Sequence, residues 1–191
     1  MILAMHGFNR WKKELRGRTY FDFSHRFLKQ VYMFRDTLHY NRRIMFDASE
    51  SFDSGPPSHD QEIAELKNQY KVYNNRLQNV LIPVPEYNRL LAEGEALFGR
   101  SFRETAQELI SKINHYRYCI DLHLEYKADL IYGSQRAPTR EEYRKDVYPI
   151  VNREGGEGSD LFGDSIEAII DKLNIMLVPL IRDKKSVATK N

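Results

Sequence analysis

Cysteine is nearly missing from this 191-residue chain: Cys119 stands alone, so no internal disulfide can form and small disulfide-framed scaffolds are excluded. A lone thiol among Tyr118, Ile120 and Leu122 suits a packed position in a reducing compartment. Long apolar runs are missing too. No stretch approaches the ~18 to 20 apolar residues that cross a bilayer as a helix, and the mean hydropathy is −0.62, so the chain as it stands reads as soluble. Ten glycines and seven prolines are too few for collagen or for a Pro/Gly-rich disordered chain. Nucleophile, phosphate-loop and zinc signatures are absent. Gly155-Gly156-Glu157-Gly158 follows no strand and has no Lys-Ser/Thr ending, so it makes no phosphate cradle.

What remains is ordinary globular material, with 41% hydrophobic and 29% charged residues. A chain of this length buries roughly 70% of its unfolded surface, enough for one domain over 1–191 without metal or disulfide. The net charge of +2 hides an asymmetry. Residues 1–43 hold ten basic groups against three acids, a balance of +7, which leaves −5 on the other 148 residues. Arg10, Lys12, Lys13, Arg16 and Arg18 crowd around Trp11, directly after Met1-Ile2-Leu3-Ala4-Met5. A Trp beside a Lys/Arg cluster is how chains meet an anionic membrane face, since indole prefers the headgroup zone and cations prefer anionic lipid. The five apolar residues are too short to span a membrane or to form a signal-peptide core. A solvated basic helix is the plain alternative, and nucleic-acid contact is a minority reading because the remainder is acidic.

Gly and Pro punctuate a series of helices, most of them opened by an oxygen side chain followed three residues later by Glu, Gln or Asp. Ser101 to Glu104, Thr139 to Glu142 and Asp164 to Glu167 are the clearest such pairs; Ser58 to Gln61 and Thr19 to Asp22 are weaker. The pattern predicts helices near 7–16, 19–45, 59–81, 85–98, 101–132, 139–148 and 160–178, loops over 46–58 and 152–159, and a frayed tail over 184–191. Val80-Leu81-Ile82-Pro83-Val84-Pro85 has a strand-like composition, but its prolines make it a helix break.

Ile63, Leu66, Tyr70, Tyr73, Leu77 and Val80 step by threes and fours, as the seam of a packed or coiled helix does. Phe162, Ile166, Ile169, Leu173, Met176 and Leu180 repeat that step, as do Phe102, Ala106, Leu109, Ile113, Tyr116, Ile120 and His123. The fold class expected is all-α: an elongated helical bundle with coiled-coil-like seams. Tyr20, Phe21, Phe23, Phe27, Leu28, Val31, Tyr32, Phe34 and Leu38 surround most of the 19–45 helix, which predicts packing on several sides, by its own chain or by a partner. With the 63–77 seam, this points to a homo-oligomer.

Two constellations suggest chemistry. Asp22 with His25, and Asp36 with His39, have the i, i+3 spacing of bundle di-metal sites. Both pairs lie on one helix, 14 residues or ~21 Å of rise apart, so they cannot share a cluster, and no metal or cofactor is expected. Arg117 and His123 lie six apart on the fifth helix, and this Arg-then-His spacing resembles the signature of HEPN ribonucleases, all-helical domains in which that pair comes from two protomers and cleaves RNA without metal. The resemblance implies His123 as proton shuttle for the 2′-hydroxyl and Arg117 as stabiliser of the phosphorane. Tyr118 stands where that family usually carries a polar residue. The plain reading is a seam histidine beside a surface arginine paired with Asp121.

Trp11-Lys12-Lys13-Glu14-Leu15-Arg16-Gly17-Arg18, the aromatic helix with Tyr32, Arg35 and Asp36, and Glu95-Ala96-Leu97-Phe98-Gly99 together resemble a group of bacterial proteins. In that group one N-terminal transmembrane helix runs into a similar Trp-Lys-x-Glu-Leu-x-Gly segment and a cytosolic helical domain. The resemblance covers about the first 100 residues and implies a site at the cytoplasmic face of a bacterial membrane. The apolar span itself is lacking ahead of Trp11, so either the chain starts downstream of it or this member is soluble. The leading functional expectation is a non-enzymatic interaction or self-association domain near the membrane, with the ribonuclease as alternative.

Overall fold

The computed structural model describes residues 2–43, 58–133, 137–151 and 160–187, with side chains described from residue 11 to 42 in the first segment and to 182 in the last. Among them there is no strand, and the all-α fold class holds. Four long helices come first in this set: α1 (Ile2–Arg43), α2 (His59–Leu81), α3 (Val84–Phe98) and α4 (Arg100–Tyr132). A composite segment follows, made of α5 (Arg140–Glu142), a π-helical turn (Tyr143–Val147) and α6 (Tyr148–Val151), and then α7 (Leu161–Val187). The expected loops at 46–58 and 152–159 fall almost wholly outside the described residues.

Several boundaries differ from the sequence pattern. α1 is continuous where a break near residues 17–18 was expected, because the Thr19 hydroxyl donates to the Leu15 carbonyl at 3.1 Å and acts as an interior helix residue, not as a cap. Ser101 also lies inside its helix: Gly99, at φ +83°, ends α3, and α4 starts at Arg100. The cap of α7 is Asp160 rather than Asp164, since its carboxylate accepts from the Gly163 N–H at 3.0 Å. A Cβ at Gly163 would stand 2.4 Å from Asp160 Oδ2, so glycine is what lets that cap close. α7 also runs on through Pro179. The carbonyl four residues back, which loses its partner, belongs to Ile175, whose residue is 76% exposed. The boxes at Ser58 and Thr139 are both complete.

Contacts divide the chain into two compact units. Unit 1 comprises Met1–Met33, Pro83–Glu108 and Ala168–Asn191. Its core is aromatic: Phe23, Phe27, Tyr87 and Phe102 are fully buried, with Phe27 and Phe102 centroids 4.9 Å apart at 62° and Phe23 and Phe102 at 5.7 Å and 70°. Such edge-to-face pairs add about 0.5–1.5 kcal/mol each beyond their burial. Gly94 makes room for them, because a Cβ there would lie 2.2 Å from one Phe102 ring atom and 2.6 Å from Phe23. Ile169, Ile170, Leu173 and Leu177 of α7 complete the core, and Tyr32 donates to Asn174 at 2.7 Å.

Unit 2 comprises Phe34–Ile82 and Leu109–Glu167. Phe34, Leu38, Leu66, Tyr73, Leu77, Val80, Ile113, Tyr116, Ile120 and Leu124 are buried in it, with Tyr143, Val147, Val151, Phe162 and Ile166. The aromatic run of α1 is thus less surrounded than its composition predicts: burial at 23, 24, 27, 28, 31, 34, 38, 41 and 42 forms one broad stripe, while His25, Arg26, Lys29, Met33, Asp36 and Tyr40 are exposed. A count of aromatics does not distinguish the edge of a stripe, where Tyr20, Phe21 and Tyr32 sit half-buried, from a second buried face.

Candidate functional site

The basic segment is a helix with no core of its own. Every residue from Trp11 to Thr19 is exposed, Trp11 by 57% and Leu15 by 50%. At ~100° per residue, Leu15 lies ~40° from Trp11, Lys12 and Arg16 follow within ~140°, and Arg18 returns to the Trp11 side. The two apolar side chains are therefore bordered by Lys12 and Arg16 on one edge and by Arg18 with Glu14 on the other, and Lys13 lies on the opposite face. Arg18 also pairs with Asp22 at 3.8 Å, both well exposed. The Arg10 side chain lies outside the described ones.

Arg117 and His123 are not brought together. Arg117 is exposed on α4, whereas His123 is 1% exposed. The His123 ring bridges two elements of unit 2: the Tyr73 hydroxyl of α2 lies 3.1 Å from Nε2, and the Tyr143 hydroxyl of the π-helical turn lies 2.7 Å from Nδ1. A neutral imidazole has one N–H and one lone pair, so one hydroxyl donates to the ring and the other accepts from it. Burial, helped by nearby Lys127, lowers the His123 pKa to about 4, which keeps the ring neutral at pH 7. Burial likewise raises both tyrosines far above the usual phenol range. Tyr126 stacks on Tyr143 at 4.0 Å between centroids. The arrangement buries the histidine in the seam of α4 with both ring nitrogens hydrogen-bonded.

Of the proposed self-association residues, Leu66, Tyr73 and Leu77 are buried in unit 2, Ile63 is half-buried and Tyr70 is 37% exposed. Tyr70 faces the carboxylates of Asp121 and Glu125, which add to partial burial in raising its pKa. Cys119 is buried, its thiol raised to about 11 by burial and by Asp146, which makes it a poor nucleophile. Of the two Asp-His pairs, Asp22 faces Arg18 and the His25 ring stacks beside Phe21, while Asp36 pairs with Arg35 and His39 with Glu167. Among the described residues no cluster of three or more His, Cys, Asp or Glu could hold a metal, and no helix is long and apolar enough to cross a membrane.

One buried charge was not legible in the sequence. Arg42, 1% exposed, binds both Asp160 oxygens at 2.8 and 2.7 Å and donates to the Ile150 and Pro149 carbonyls, each at 2.9 Å. Its guanidinium lies 5.0 Å from the Phe162 ring centre. One side chain thus ties the end of α1 to α6 and to the cap of α7. Nothing local marks it, since its partners lie more than 100 residues away along the chain.

Against known proteins, the chain matches no family model, no curated protein and no solved structure. The resemblance to membrane-tethered bacterial proteins therefore stands on its residues alone.

Proposed function

We propose that this chain is a non-enzymatic helical interaction domain that docks on an anionic membrane surface through the N-terminal part of α1. The observation that carries this reading is the run Trp11–Thr19, helical and exposed at every position, with Trp11 and Leu15 on one face and Lys12, Lys13, Arg16 and Arg18 around it. Two apolar side chains alone hold a helix weakly at an interface. Basic side chains beside an anionic surface add about 1 kcal/mol each, so Lys12, Arg16 and Arg18, which border the apolar pair, bring attachment into a measurable range. Their methylene stems follow the apolar face while the charged ends reach the phosphates.

The test is co-sedimentation with vesicles of phosphatidylglycerol in phosphatidylcholine, against phosphatidylcholine alone. The wild-type chain is retained by the anionic vesicles at low salt and released as the Debye length falls below ~8 Å. Reversal of three cations together, Lys12→Glu, Lys13→Glu and Arg16→Glu, removes at least about 3 kcal/mol, or more than 100-fold in affinity. Retention by RNA but not by vesicles would replace this reading with nucleic-acid binding. The ribonuclease alternative gains no support from the placement of Arg117 and His123, one exposed and the other sealed.

A further inference from the structure

In an α-helix Lys145 would lie ~140° around the axis from Arg140. Here the Tyr148 N–H bonds to the Tyr143 carbonyl five residues back, the wider π-helical pitch that recurs at functional sites. Two anchors hold that wide turn: Tyr143 is fixed to His123 Nδ1 at 2.7 Å, and Val147 is 2% exposed. With 143 and 147 turned inward, Arg140, Glu141, Arg144 and Lys145 line one open concavity of about 460 Å³. All four are exposed. The neighbouring Glu142 carboxylate is turned to the helix start, where the Thr139 N–H and hydroxyl donate to it at 2.8 Å each.

We infer that the concavity on the π-helical turn, lined by Arg140, Arg144 and Lys145, binds a terminal phosphate or pyrophosphate group, carried by a soluble phosphorylated compound or by a lipid headgroup. The chemistry is that of the side chains. Guanidinium groups present forked N–H donors matched to two phosphate oxygens, and the lysine adds a point charge. The four lining side chains sum to +2, with the Glu142 and Asp146 carboxylates of the same turn outside the lining, and the two guanidinium forks match the several oxygens of a phosphate better than the two of a carboxylate. This site is independent of the exposed basic segment of α1.

Amide shifts in a titration with inorganic pyrophosphate at constant ionic strength test it. Saturable shifts confined to residues 140–148 are expected, with half-saturation at or below ~1 mM. Arg144→Glu with Lys145→Glu weakens this by at least about ten-fold, with an unchanged circular dichroism spectrum showing that the fold survives. Lys67→Glu with Lys71→Glu, an equal charge reversal at exposed positions of α2, leaves it unchanged. The source is read from phosphatidic acid vesicles with the Lys12→Glu, Lys13→Glu, Arg16→Glu chain. Retention that Arg144→Glu with Lys145→Glu abolishes assigns the headgroup, and pyrophosphate saturation without retention assigns the soluble compound. The proposal is overturned if pyrophosphate gives no saturable shift and the vesicles retain nothing, or if the α2 reversal weakens binding as much as the reversal at 144 and 145.

Discussion

A neutral imidazole sealed between two tyrosine hydroxyls destabilises the fold when it takes a second proton. His123 has a native pKa of about 4 against ~6.5 for an exposed histidine. Between those values the unfolded chain binds more protons than the folded one, so stability falls as pH drops from about 6.5 to about 4 and is flat on either side. The span corresponds to about 3 kcal/mol at most. Urea unfolding across that range should show the loss in the wild-type chain and its absence in His123→Gln, which has no proton to gain. Tyr73, Tyr143 and Lys127 are ionisable groups around the ring, and burial moves both tyrosines further above that window. The same slope in the variant would assign the acid sensitivity elsewhere. Arg42→Ala leaves two carbonyls without their donor and Asp160 without its paired guanidinium, the Gly163 N–H remaining, a loss of about 3–5 kcal/mol. Gly94→Ala pushes a methyl into Phe102 and Phe23, and overpacking of this kind costs about 1–3 kcal/mol; thermal melts rank the two.

Helices are where the sequence reads most directly, and caps where it reads least. The seam from Ile63 to Val80 places α2 within a residue of its bounds, because threefold and fourfold apolar steps have no other stable use in a packed chain. An oxygen side chain followed by Glu, Gln or Asp three residues on is less specific. Ser58 and Thr139 close real boxes, whereas Thr19 bonds back to Leu15 and Ser101 follows a helix already begun at Arg100. The difference lies outside the motif, in Gly99 with its positive φ and in the absence of any chain break after Gly17. The α7 cap carries no such signature, because the Asp160 carboxylate accepts from the backbone N–H of Gly163, and no acidic side chain stands three residues on. Arg42 with Asp160 and Tyr73 with His123 escaped because they join elements 118 and 50 residues apart, and the π-helical turn escaped because no local pattern encodes it. Gly17 offers an element-scale test. A Cβ there meets nothing within 4 Å, so Gly17→Ala should add about 1 kcal/mol of helix propensity to α1. Higher helicity by circular dichroism and slower amide exchange over residues 12–20 would show it, and unchanged exchange would mean that this stretch is not helical in solution.

Charge separation is the feature of the whole chain that fold alone does not explain. Helices can be built without setting a +7 segment ahead of a −5 remainder, and the densest part of that segment, residues 11–19, is exposed at every position. Trp11 is the one tryptophan in the chain, so it reports on that segment without interference. Its exposed indole should emit at long wavelength in buffer. The most direct test of anionic-surface docking is a titration of Trp11 fluorescence with phosphatidylglycerol vesicles. A blue shift that saturates at low salt, is reversed by added salt and is absent with phosphatidylcholine alone is the result expected of an indole entering the headgroup zone. An emission maximum that stays at its buffer value throughout the anionic titration at low salt would contradict the account.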